Sequence, residues 1–183
     1  MDQKNVYPDE EWWERTLLRS EKENGSVRER SESNSGKDAD HASLPSFLSD
    51  GAFDCRSNVP AFWALDVRDP EYALLAASAQ EFIEAVQLRS DLPHGCESLA
   101  PAALRVAAHL AGGHGMGYED SVLCGNIVRC RWALAECRFC AETLAHIVSR
   151  LGRPEFAGLL DRCRTLSNAI EERIDQLRRR VWW

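Results

Sequence analysis

The chain has 183 residues and a mass of 20.6 kDa, with 44% hydrophobic and 28% charged residues, seven cysteines, six tryptophans and a formal charge of −7. That composition excludes a collagen-like or wholly disordered chain, and without an apolar run of about 18 residues no membrane-spanning helix is expected. The negative charge also counts against plain electrostatic binding to DNA, leaving one modest acidic domain with a tail as the expectation.

The first residues, Met1-Asp2-Gln3-Lys4 and then Asp9-Glu10-Glu11, lack the basic and apolar regions of a secretory signal. A cytoplasmic location is therefore expected, with reduced cysteines and no disulfide framework. Residues 1–65 hold 8 basic and 13 acidic side chains, against 14 and 16 in residues 66–183. The acidity is thus mostly a property of the tail.

Residues 1–43 are expected to be a largely disordered acidic extension. Between Ser20 and Ser43, Val27 is the only sizeable apolar residue, too little to offset the entropy of ordering. Ahead of it, Asp9 to Leu18 carries Trp12, Trp13, Leu17 and Leu18 among charges, a pattern suited to a short amphipathic helix. This segment reads either as a disordered end or as a docking peptide for a partner or for the protein's own bundle. Residues 44–68, with Phe47, Phe53, Phe62 and Trp63, read as an irregular aromatic arm.

From Asp69 the apolar residues recur at helical period. Asp69-Pro70-Glu71 supplies a cap, a proline for the first helical position and a first-turn acid, and Tyr72, Leu75, Ala79, Phe82 and Val86 form one face. A second helix is expected from Ser98 to the Gly112-Gly113 pair, and a third from Glu119 to Leu151, stopped by Gly152 and Pro154. A fourth starts at Pro154 and carries a heptad seam from Phe156 to Val181. Short connections and the absence of period-two alternation imply an all-α, up-down-up-down four-helix bundle over residues 69–183.

The third helix has two apolar faces. Leu123, Ile127, Cys130, Leu134 and Cys137 belong to the core side, while Val128, Trp132, Ala135, Phe139 and His146 line nearly the opposite side. A second stripe calls for another surface, either a neighbouring subunit or the N-terminal arm folded back. Arg131 and Arg138 flank it and are suited to pairing with carboxylates or phosphates.

Two stretches carry a family resemblance. Ala102-Ala103-Leu104-Arg105-Val106-Ala107-Ala108-His109-Leu110-Ala111-Gly112-Gly113 resembles the motif Arg-Ala-Ala-x-Ser-Ile-Pro-Ala-Asn-Ile-Ala-Glu-Gly, and Cys130-Arg131-Trp132-Ala133-Leu134-Ala135-Glu136-Cys137 is similar to Ala-Arg-Gly-Ser-Leu-Ala-Glu-Leu. Both motifs belong to the four-helix-bundle proteins of 23S rRNA intervening sequences, whose relatives include the accessory variability determinant protein of diversity-generating retroelements. His109, Gly112 and Ala107 replace the motif's asparagine, glutamate and proline, and Trp132-Ala133 replaces its Gly-Ser pair. The resemblance implies a homo-oligomer, commonly a pentamer, and a partner such as a reverse transcriptase or RNA.

Catalytic and metal signatures are weak. Cys137-x-x-Cys140 with Cys130 and Cys124 is the most metal-like group, but on one helix these side chains point in different directions, so buried thiols acting as small hydrophobes are the simpler reading. His109, His114 and Glu119 cluster around Gly112-Gly113, where capping or solvent exposure explains them. No hydrolase elbow, phosphate loop or di-iron pair is present, so neither an enzyme, nor a cofactor, nor a small-molecule substrate is expected. Candidate nucleic-acid contacts are Arg150, Arg153, Arg162 and Arg164 near one turn, and Arg178, Arg179, Arg180, Trp182 and Trp183 at the end. The expected role is a non-enzymatic, homo-oligomeric accessory or scaffold protein, with an adaptor recruiting its partner through the acidic tail as the alternative.

Overall fold

The computed structural model describes residues 7–33 and 69–182, which form five α-helices and one 3-10 turn, with no strand among the described residues. The helices are α1 (Glu10–Ser33), α2 (Pro70–Gln87), α3 (Leu99–Met116), α4 (Asp120–Ser149) and α5 (Ala157–Arg178), with the turn Pro154–Phe156 ahead of α5. The aromatic arm and Trp183 lie outside the described residues.

Helices α2 to α5 form the expected bundle, and cross-helix contacts establish their directions. Tyr72 of α2 stacks on His114 of α3, Arg105 of α3 pairs with Glu136 of α4, and Cys137 of α4 meets Cys163 of α5. Arg173 near the end of α5 returns to Asp69 at the start of α2 and closes the ring. Each neighbour is therefore antiparallel to the last. Leu99, Leu123, Ile127, Leu144, Leu166, Ile170 and Leu177 are essentially solvent-free in one continuous core. A Leu or Ile in such a position contributes about 2–5 kcal/mol relative to Ala.

The ends follow local chemistry. The Tyr72 N–H donates to Asp69 Oδ1 at 2.9 Å, with Pro70 in the first helical position. Gly152, at φ 63°, ends the α4 turn in the left-handed region, and the Arg153 N–H reaches back to the Ile147 carbonyl at 3.2 Å.

Two boundaries differ from the sequence expectation. α3 does not stop at Gly112-Gly113 but continues to Met116, and Gly117 at φ 92° supplies the exit. Gly113 is a packing residue: a Cβ there would stand 2.8 Å from Asn126 Oδ1 and 3.1 Å from Arg129 Cβ, so its absence lets α3 and α4 approach. In addition, α1 runs to Ser33, carrying helix beyond Leu18 into the polar stretch expected to be disordered. Asp9 caps it, accepting from the Trp12 N–H at 2.8 Å.

Candidate functional site

The second stripe on α4 is divided by α1. Trp13 sits against Gly125, where a Cβ would come 2.8 Å from the indole, and Leu17 is buried. Four acid–arginine contacts hold α1 across α4. Glu10 takes Arg178 of α5 in a two-pronged contact at 2.9 and 3.0 Å and Arg131 at 3.3 Å; Glu14 lies 3.7 Å from Arg131, and Glu21 lies 2.6 Å from Arg129. α1 thus spans from the α5 side to the α3 side, where Arg129 also contacts His109. The sequence option of a peptide docked on the protein's own bundle describes this half of the stripe.

Beyond α1 no described residue covers the stripe. Val128 is fully buried and Trp132 half-buried, whereas Ala135, His146 and Phe139 are exposed, the last at 41%. Arg131 is engaged by α1, and Arg138 pairs with Glu171 of α5. Leu134, read as core, is buried.

The candidate nucleic-acid residues do not come together. Arg150, Arg153, Arg162 and Arg164 lie around the turn before α5, and Arg178, Arg179, Arg180 and Trp182 lie at its other end, about 33 Å away for 22 helical residues. Several already have acidic or carbonyl partners. Arg153 meets Asp91 and Glu155, Arg164 meets Asp161, Arg178 meets Glu10, and Arg180 donates to the Tyr118 carbonyl. The Trp182 indole N–H donates to Asp120. Arg150, Arg162 and Arg179 are exposed.

A cavity of about 610 Å³ opens at the end of the bundle where α2 begins and α3 and α5 finish. Asp69, Glu71, His114, Tyr118, Arg173 and Arg180 line it. The Arg173 side chain is 8% exposed and is neutralised by Asp69 and by Glu71 at 3.3 Å. The Tyr118 ring meets the guanidiniums of Arg173 and Arg180, at 5.2 and 5.6 Å from its centroid, and its hydroxyl is 2.6 Å from His114 Nδ1. Burial pushes Asp69 upward, but the Tyr72 N–H, the Arg173 charge and the Tyr118 hydroxyl outweigh it and hold the carboxyl below its usual 3.8. Of this site the sequence marks Asp69 as a cap, Glu71 as a first-turn acid, His114 beside the Gly-Gly pair and Arg180 as a candidate nucleic-acid contact, but it does not bring them together. The missed signal was Arg173, a charge set within the α5 seam between Ile170 and Leu177. Glu119, grouped earlier with the two histidines, is exposed at the start of α4.

The six described cysteines do not converge on a metal. Among the described residues no group of three or more Cys, His, Asp or Glu side chains is placed to hold one. Cys130 meets Asn126 Oδ1, Cys140 faces the Leu99 carbonyl, and Cys137 meets Cys163. Burial pushes the Cys130 and Cys140 thiols up to about 12. They behave as small buried groups.

The chain matches no protein-family model, no curated protein and no solved structure. Among the described residues no helix is long and apolar enough to cross a membrane.

Proposed function

We propose that this protein is a non-enzymatic, cytoplasmic accessory subunit, a helical bundle that self-associates through the half of the α4 stripe beyond α1. Phe139 carries the reading. It is a large ring 41% exposed on the helix that packs against both α3 and α5, and it is flanked on the same face by Ala135 and His146. Such a patch gains by meeting a second apolar surface. The resemblance to the rRNA intervening-sequence bundles supports a ring-like oligomer, commonly a pentamer, serving a nucleic-acid-handling complex such as one built round a reverse transcriptase. The engagement of Arg153, Arg164 and Arg178 by acids favours protein contacts over RNA as the bundle's main partner surface.

Light scattering on the purified full chain tests this directly. The wild type should be an oligomer free of co-purified nucleic acid, and Phe139→Glu should give folded, smaller species. An assembly unchanged in size by the substitution would refute the interface. A second reading, an adaptor working through its N-terminal segment, draws on the outward face of α1, where Trp12 is 44% and Leu18 is 53% exposed. In that case Trp12→Ala with Leu18→Ala would abolish partner capture while leaving assembly size unchanged.

A further inference from the structure

Where α4 crosses α5, two thiols face each other in the core. Cys137 Sγ and Cys163 Sγ are 3.7 Å apart, and both residues are fully buried. The contact is reciprocal: the Cys137 thiol lies 3.4 Å from the Cys163 carbonyl, and the Cys163 thiol lies 3.2 Å from the Cys137 carbonyl. Each sulfur therefore touches the other residue's backbone, which requires the two helices to be close at this level. The Ser167 hydroxyl, one turn along α5, lies 3.3 Å from Cys137 Sγ and 3.1 Å from the Cys163 carbonyl, and can donate to either. Cys130 and Cys140, by contrast, make their sulfur contacts with oxygen.

We propose that Cys137 and Cys163 are an oxidation site that closes to a disulfide staple between α4 and α5 when the protein meets a peroxide. A disulfide needs the sulfurs at about 2.05 Å, so side-chain rotation must bring these in by less than 2 Å. Cys137 is the attacking sulfur. Hydrogen bonds from Cys163 and then Ser167 favour its thiolate against the opposing effect of burial, while Cys163 is held as the thiol, first by its contact with Cys137 and then by burial.

The Cys137 thiolate attacks one peroxide oxygen, the O–O bond breaks, and hydroxide leaves to take up a proton as water. Cys137 is then a sulfenic acid. The Cys163 sulfur attacks it and forms the S–S bond, and the Cys163 proton leaves with the displaced hydroxide as a second water. Two thiols are oxidised by two electrons and one peroxide is reduced. Because both sulfurs are buried, oxidation and reduction alike run through brief separation of α4 and α5.

The test uses the full chain in its native state. After hydrogen peroxide treatment, the protein is denatured in an alkylating agent and digested without reductant. The expected result is one cross-linked peptide joining Cys137 to Cys163, the loss of two titratable thiols, and a rise in thermal midpoint that a reductant reverses. Recovery of both cysteines alkylated, or of either paired elsewhere, would overturn the proposal. In Cys163→Ser the cross-link should vanish and a sulfenic-acid-trapping dione should label Cys137. Labelling of other cysteines with Cys137 untouched would equally sink it.

Discussion

Arg173 is the residue on which the polar end of the bundle turns. Its guanidinium is nearly buried, and Asp69 and Glu71 are the charges that balance it. Removing one partner of a buried pair leaves the other uncompensated, at a cost of about 3–5 kcal/mol. Asp69→Asn keeps a side chain able to cap α2 but removes the charge, so we expect a loss at the lower end of that range, about 3 kcal/mol, with Glu71 still in place; denaturant melts would show it. The sign with pH is fixed by the same contact. The Asp69 carboxyl is held below 3.8, so its contribution is full above the ordinary carboxylate value and fades as pH falls through its depressed one. Acid titration should therefore separate the wild type from Asp69→Asn above about pH 4 and bring their stabilities together below it. His109 has a lowered value too, through burial first and the Arg129 charge second, so the folded bundle holds it neutral and loses stability as pH falls below 6.5, where the unfolded chain takes up the proton first.

At the level of the helix, α1 is held differently from the rest. Its ion pairs with Arg129, Arg131 and Arg178 are largely solvent-exposed, and such pairs are worth about 0–1 kcal/mol each and weaken with salt. Among the described residues the buried Trp13 indole N–H has no hydrogen-bond partner, which subtracts from what the ring gains by packing. α1 should come off the bundle before the bundle melts. In about 1 M salt, where the Debye length is near 3 Å, limited proteolysis should cut α1 several-fold faster while α2 to α5 stay protected. Gly125→Ala tests the same docking by shape, since the added Cβ meets the rigid Trp13 ring, while its other contact, the flexible end of Met116, can swing aside. Tryptophan fluorescence should then report a solvated Trp13 with the bundle's melting nearly unchanged. A shift of the main melt by several degrees would mean that α1 is integral to the core.

Across the whole molecule, charge and apolar surface are distributed unevenly. The tail's acids are not idle: Glu10, Glu14 and Glu21 neutralise arginines of α4 and α5. The overall −7 therefore describes neither the tail nor the bundle taken alone. Ile170→Ala, at the centre of the shared core, should cost about 2–5 kcal/mol and lower the melt of α2 to α5 as one unit. Separate transitions for individual helices would contradict a single cooperative core.

Most of the bundle was legible because helix periodicity, caps and proline positions are local. Tyr72, Leu75, Phe82, Leu123, Ile127, Leu166 and Ile170 announced their faces by spacing alone, and all are buried. The end of α3 was not legible. A Gly-Gly pair stops a helix in isolation, yet here Gly113 is buried within one because α4 needs the space. The second α4 stripe was legible as a surface awaiting a cover, but not its division, since that depends on the path α1 takes from Arg178 to Arg129. The cavity was hidden for the same reason: Asp69 and Arg173 are 104 residues apart, and no periodicity links them. Sequence alone determined the helices and their apolar faces, which follow from neighbours three and four residues away. Tertiary structure decided which charges meet, which thiols touch and which half of a stripe α1 covers, because those depend on where distant helices cross.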